Sequence, residues 1–182
     1  MSTMTIETDV LVVGSGPAGL STAVGLASHG VDHIVITKYQ WTANTPRAHI
    51  TNQGAMEIFR DFGVEKDVLE KAVPHELMGD TVFCTSLTGE EIGRIHTWGT
   101  HPLREADYTL SSPTQNCDIP QNLLEPILLT RAAKLGSKVR FNTEFISFVQ
   151  DATGVTTFGE GIAHALFVTS MADLLDTDSN NF

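Results

Sequence analysis

Asp9-Val10-Leu11-Val12-Val13-Gly14-Ser15-Gly16-Pro17-Ala18-Gly19-Leu20 carries a short apolar run into a glycine-rich turn and out into a helical pattern. The run suits a strand of a parallel sheet buried on both faces. Pro17 suits the first turn of a helix, where its missing N–H costs nothing. Leu20, Val24 and Ala27 then recur at spacings of three and four, and Gly30 supplies the stop, so the spacing predicts a helix over Pro17–Ser28. His33, Ile34, Val35, Ile36 and Thr37 form a second strand, and the three segments together predict a βαβ unit. A turn of this kind brings bare backbone N–H groups to the positive end of a helix, which is where a dinucleotide pyrophosphate binds.

Gly-x-Gly-x-x-Gly alone is weak, since three glycines in a turn occur by chance. Here it follows a strand, opens a helix and is followed by a second strand, and that context favours nucleotide binding. A Walker P-loop is excluded because Leu20 stands where its lysine would follow the last glycine. One expected part is missing. The end of the second strand should carry an acid for the ribose hydroxyls, but this chain has Thr37 and Lys38. A threonine hydroxyl can hydrogen-bond a ribose, more weakly than a carboxylate does.

The whole chain narrows the function classes. Its 182 residues can bury a core, and 41% hydrophobic residues is a globular composition. A net charge of −11 argues against a nucleic-acid surface. No run approaches the roughly 18 apolar residues of a membrane span, and the polar start lacks signal-peptide character. Cys84 and Cys117 stand apart, so a reduced, cytoplasmic setting is expected.

Beyond Thr37 the pattern predicts a long polar loop over 39–52 and an amphipathic helix over 55–62. A short helix over 66–72 and a hairpin pairing 81–85 with 92–96 come next. Residues 97–117 read as loop. A helix starts near Gln121 and runs to Gly136, with Pro126 awkward unless it lies in the first turn. Residues 139–148 alternate in part, and 155–158 could pair with them. Residues 162–175 read as an apolar helix followed by a disordered tail.

Among other constellations, His29 and His33 have the spacing of a helical metal pair, but Gly30 puts a turn between them, so no metal site is assigned. His96 and His101 read as surface histidines, and no hydrolase-type nucleophile motif is present. Arg47, after Pro46 in the long loop, reads either as an ordinary solvated arginine or as one that reaches a phosphate or a flavin edge.

Several uncommon strings then occur in order. Trp41-Thr42-Ala43-Asn44-Thr45-Pro46-Arg47-Ala48-His49-Ile50-Thr51-Asn52-Gln53 follows the glycine turn. Met56-Glu57-Ile58-Phe59-Arg60-Asp61-Phe62-Gly63, Gly89-Glu90-Glu91-Ile92-Gly93-Arg94-Ile95, Thr97-Trp98-Gly99-Thr100 and Pro120-Gln121-Asn122-Leu123-Leu124-Glu125-Pro126-Ile127-Leu128 come after it. Over residues 6–155 the chain resembles the N-terminal part of FAD-dependent aromatic-ring hydroxylases, the group A flavoprotein monooxygenases. The resemblance implies an α/β fold: a partial Rossmann-like FAD-binding domain over 1–158 with a small hairpin, the start of a substrate-side region, at about 75–117. Residues 159–182 would be an aberrant tail, and the chain a truncated one.

The resemblance also implies roles. Gly14, Ser15, Gly16, Pro17, Ala18 and Gly19 would hold the FAD pyrophosphate, Thr37 and Lys38 would sit by the adenosine ribose, and Arg47 and Gln121 would contact the cofactor. In such enzymes NAD(P)H reduces the flavin, and a C4a-hydroperoxide transfers OH to a phenolic, chlorophenol-like ring. The chemistry is the flavin's, while the protein positions it and excludes water. No catalytic side chain is named, and self-association into a homo-oligomer stays open. Two alternatives remain: a non-catalytic remnant that at most binds a nucleotide, and an NAD-dependent dehydrogenase.

Overall fold

The computed structural model describes residues 4–161 and 165–169. The chain divides into two compact units, one formed by Met1–Asn44 with Leu128–Phe182, the other by Thr45–Ile127.

In the first unit the expected βαβ element is present. Strand β1 (Met4–Thr8) leads to β2 (Val10–Val13), helix α1 (Pro17–Ser28) and β3 (His33–Ile36). β2 and β3 pair in parallel, Val10 opposite His33 and Val13 opposite Ile36. The parallel partner on the far side of β3 is a strand from late in the chain, Lys138–Arg140, reached through α5 (Gln121–Lys134). β3 is therefore central, and all four of its residues are buried. β2 is not buried on both faces as its apolar run suggested: three residues are half-covered and Val13 is exposed. Apolarity along a strand reports what the sheet tolerates, while its place in the sheet decides how much is covered.

Helix α1 stops where Gly30 takes φ +73°. The Gly30 N–H donates to the Ala27 carbonyl (3.1 Å) and the Val31 N–H to the Leu26 carbonyl (3.1 Å), which satisfies carbonyls that the helix end would leave bare. On its inner face Leu20, Ala23 and Val24 are fully buried. Ile34 and Ile36 are buried from the sheet side, with Ile6, Leu11 and Phe145 packed against them. The imidazole of His33 is also buried, and it is satisfied. Its Nδ1 lies 2.8 Å from the Val31 carbonyl and its Nε2 2.8 Å from Ser137 Oγ.

The Thr45–Ile127 unit holds β4 (Ile50–Thr51), α2 (Gln53–Asp61), α3 (Glu65–Lys71), β5 (Thr81–Cys84), β6 (Glu91–Ile95), α4 (Glu105–Ser111) and β7 (Cys117–Asp118). After α5 come β8 (Lys138–Arg140), β9 (Thr143–Asp151), β10 (Gly154–Gly161) and β11 (Ala165–Thr169).

β9, β10, β11 and β1 form a second sheet, antiparallel except for the β1–β11 pair. The hairpin expected across 151–154 is present and longer than the sequence suggested. The helix expected over 162–175 is not found where that segment is described: Ala165–Thr169 is β11. A five-residue apolar run can serve either state, and here pairing to strands on both sides selects the extended one. The rest of that expectation lies outside the described residues.

The Thr45–Ile127 unit confirms the two helices and the hairpin. Asn52 caps α2, its Oδ1 accepting from the Ala55 N–H at 2.9 Å, so the helix begins at Gln53 rather than 55. β5 and β6 pair antiparallel. Residues 97–117 are not simply loop, since α4 and β7 lie within them. α4 buries none of its residues, so it left no apolar stripe to read. Side chains of α2 and α3 tie down α4 and the segment after it. Gln53 Nε2 donates to the Tyr108 and Thr114 carbonyls (2.9 Å each), Ser112 Oγ donates to Glu57 (2.6 Å) and Thr114 Oγ1 to Glu65 (2.7 Å).

Ile34 sits at zero exposure in the central strand. Ile34→Ala is expected to cost about 2–5 kcal/mol of stability, read from urea unfolding, and Ile34→Val only about 0.5–1.5 kcal/mol.

Candidate functional site

β2 ends at Val13, and the next residue, Gly14, takes φ +107°, a conformation that side chains resist. Its N–H donates to the Ile36 carbonyl at 2.8 Å, which pins the turn to the end of β3. Gly16 then caps α1 in an extended conformation and Pro17 opens it. No side chain caps this helix end and no acidic residue sits in its first turn, so its N–H groups and partial positive charge are left for a ligand. The last glycine is a steric requirement. A Cβ on Gly19 would lie 1.9 Å from the Gly14 carbonyl oxygen, against backbone that cannot move aside cheaply. Ser15 is buried within the same turn.

Thr37 and Lys38 follow the carboxyl end of β3, the parallel neighbour of β2, so they share the sheet edge from which the glycine turn springs. Ligands of parallel α/β sheets bind at that edge. Thr37 is 5% exposed. Its N–H donates to the Arg140 carbonyl (3.0 Å) and its carbonyl accepts from the Thr143 N–H (2.8 Å), so its backbone is locked and little of its hydroxyl surface is open. Lys38 pairs with Glu144 at 3.7 Å, both side chains more than half exposed, a surface ion pair worth little. Beyond them the exposed Trp41 ring stacks on Phe141 with centroids 5.0 Å apart.

The other two candidate residues belong to the Thr45–Ile127 unit, and the fold brings them together there. The Gln121 N–H donates to the Arg47 carbonyl at 3.4 Å. Next to this contact, the Ile119 N–H donates to the His49 carbonyl at 2.8 Å. The loop that holds Arg47 is thereby fastened to the start of α5, and the arginine is exposed. Gln121 Nε2 donates to Glu125 Oε1 one helical turn on, at 2.5 Å, and Glu125 is only 3% exposed. Asn122 adds a buried Oδ1 without a hydrogen-bond partner. Neither Glu125 nor Asn122 was singled out from sequence. The Gln–Glu spacing of four at a helix start was the available signal for the first, while nothing in the sequence marked the second. Pro126 is the sixth residue of α5, beyond the first turn that would have suited it.

Among the described residues, the remaining histidines and Cys117 serve local contacts. His29 Nδ1 lies 2.8 Å from the Gly25 carbonyl, so it and His33 each serve local backbone contacts. His96 and His101 stack on one another, centroids 3.6 Å apart, rather than standing as separate surface groups. Burial, followed by the neighbouring Asp118, pushes the Cys117 thiol up to about 11, far from a nucleophile's range. Among the described residues there is no cluster of three metal-ligating side chains. No described helix is long and apolar enough to cross a membrane.

An uncapped helix N-terminus, a glycine that admits backbone at van der Waals distance and a parallel sheet edge define a dinucleotide-binding α/β unit of Rossmann-like type. The family model for an FAD binding domain matches residues 7–161, and the chain belongs to that family. It is 62% identical over 154 residues to phenol 2-monooxygenase of Pseudomonas sp. (strain EST1001), covering 85% of this chain and 25% of that protein. It is 60% identical over 151 residues to 2,4-dichlorophenol 6-monooxygenase of Delftia acidovorans, covering 83% of this chain and 26% of that one. Among solved structures, the flavin-dependent monooxygenase PieE in complex with FAD and substrate superposes with a TM-score of 0.83 at 39% identity. That match covers 91% of this chain and 29% of PieE. The chain thus spans about a quarter of the length of the curated relatives it matches.

Gly19→Ala is expected to destabilise the chain by about 1–3 kcal/mol and to abolish nucleotide binding, because the turn must open to admit the methyl group. Gly25→Ala on the same helix, where an added Cβ meets nothing within 4 Å, is the control. It should raise stability by up to about 1 kcal/mol and leave binding intact, as thermal unfolding and a cofactor titration would report.

Proposed function

We propose that this chain is the FAD-binding part of an NAD(P)H-using monooxygenase that hydroxylates a phenolic, chlorophenol-like ring. The observation that carries the proposal is the α1 N-terminus, bare of caps and acids and pressed onto Gly14. A pyrophosphate brings the negative charge that such an end lacks. Gly14, Ser15, Gly16, Pro17, Ala18 and Gly19 would cradle it, with Ser15, Gly16, Ala18 and Gly19 offering backbone N–H groups, since Pro17 has none and that of Gly14 is held by the Ile36 carbonyl. Thr37 and Lys38 would lie by the adenosine ribose, the lysine by charge and the threonine through whatever of its hydroxyl is open. Arg47, exposed and held through its backbone carbonyl, would contact the flavin, and Gln121 would hydrogen-bond to the cofactor. When bound, reduced FAD supplies the activation of oxygen for ring hydroxylation. These residues bind and orient the cofactor, and none is assigned a proton-transfer step. The unpaired cysteines suit a reducing, cytoplasmic setting.

A second reading is that the chain binds the nucleotide without turning over substrate. Phenol-stimulated NAD(P)H oxidation by the purified chain would decide for the first reading over the second. Use of NAD as the bound nucleotide is less well supported, because the family model that matches is that of an FAD binding domain.

Titration with FAD is the direct test. FAD at about a hundredfold excess over its Kd should stabilise the chain by about 2.7 kcal/mol, and NAD should do markedly less. A protein that retains no flavin spectrum after FAD is added and excess removed, and that FAD does not stabilise, would overturn the proposal. Arg47→Ala should weaken FAD binding about three- to tenfold without lowering the melting temperature of the apo chain, since the side chain is solvated there.

A further inference from the structure

Glu125 is a buried carboxylate in the first half of α5. It is 3% exposed, and one of its oxygens receives the Gln121 side-chain amide at 2.5 Å. We propose that Glu125 is a positioning residue that fixes which end of the Gln121 amide faces the cofactor. The proposal rests on the reading that Gln121 contacts FAD.

A glutamine amide has two chemically opposite ends of nearly the same shape, an NH2 that donates and an oxygen that accepts. Nothing in the shape of the side chain selects between them, so the partner does. A carboxylate only accepts, and therefore Glu125 demands the NH2 end. If the amide turned over, two oxygen atoms would face each other at 2.5 Å in a site closed to water, a buried clash of acceptors with no compensating bond. The i, i+4 spacing on α5 makes the bond available as soon as the helix forms. Because Glu125 lies in the protein interior while Gln121 is half-buried, the bond spans from inside to the accessible side.

The consequence is a polarity. With its nitrogen held inward by Glu125, Gln121 turns its Oε1 away from the carboxylate and offers an acceptor. The group it recognises is then a donor, of the chemical class of the hydroxyls along the polyol chain of the flavin. Phosphate oxygens, which carry no hydrogen at neutral pH, are the wrong partner for that atom. The division of labour is consistent: phosphates go to the donors of the glycine turn, and hydroxyl donors go to Gln121.

The test uses the full chain labelled with nitrogen-15 and two readouts. Gln121→Met assigns the Gln121 side-chain NH2 signals by their disappearance. In the wild type those signals are expected to be displaced from the free-glutamine position and slow to exchange with water, in the absence of any FAD. Glu125→Gln, which can either donate or accept, should return them toward the free position while preserving the fold. By flavin fluorescence, Glu125→Gln should weaken FAD binding about tenfold, equivalent to 1.4 kcal/mol. In the double variant the loss should not exceed that of Gln121→Met alone, because Glu125 acts through Gln121. Additive losses, or NH2 signals that sit at the free position in the wild type, would overturn the proposal. If the wild type binds no FAD, the cofactor reading fails by itself, and the NH2 signals still decide whether Glu125 orients the amide.

Discussion

Where β2 gives way to α1, the helix passes so near the turn that a Cβ on Gly19 would stand 1.9 Å from the Gly14 carbonyl oxygen. This close approach sets the rest. It lets Leu20, Ala23 and Val24 reach complete burial in the unit built on β3. It also directs the first N–H groups of the helix outward at the sheet edge, with no acid or cap to quench them. The same constraint therefore serves packing and binding, because a site made of backbone can exist only where side chains are absent.

β3 is the second fixed point. It is central in its sheet, and the backbone beyond it is held on the far side by bonds from Thr37 to Arg140 and Thr143 and from Asn142 to the Tyr39 carbonyl. Residues more than a hundred positions later in the chain thus set where Thr37 and Lys38 stand. The two candidate residues of the other unit depend on a similar long-range fastening, the bond between the start of α5 and the Arg47 loop. In each case the backbone that carries the candidate side chain is placed by hydrogen bonds, which are short and directional, while Gln121 and Lys38 also make side-chain contacts of their own.

The electrostatic character of the chain fits this arrangement. A net charge of −11 would repel a pyrophosphate at long range, so attraction has to be local. Within the unit built on β3, the helix end and Lys38 are local sources of positive potential. Of these, Lys38 is partly engaged with Glu144. Among the described residues no side chain caps the helix end and no acidic residue lies in its first turn.

Much of this was legible in the sequence because it is local. The βαβ unit, the glycine turn, the amphipathic helix after the long loop, the β5–β6 hairpin and α5 all announce themselves locally, through periodicity or turn chemistry. The features that were not legible are non-local or leave no pattern. α4 buries nothing, so it has no stripe; Ala165–Thr169 becomes a strand because β1 and β10 lie on either side of it. Nor could the sequence say that Val13 would be exposed, that Thr37 would be covered, or that Glu125 would meet Gln121 away from water. By itself the sequence determined the glycine turn and hence the class of ligand, since conformational freedom and steric size are properties of single residues. Tertiary structure alone decided which polar groups face a ligand and which are consumed by neighbours, because burial and hydrogen-bond partnership depend on chain segments that are distant in sequence.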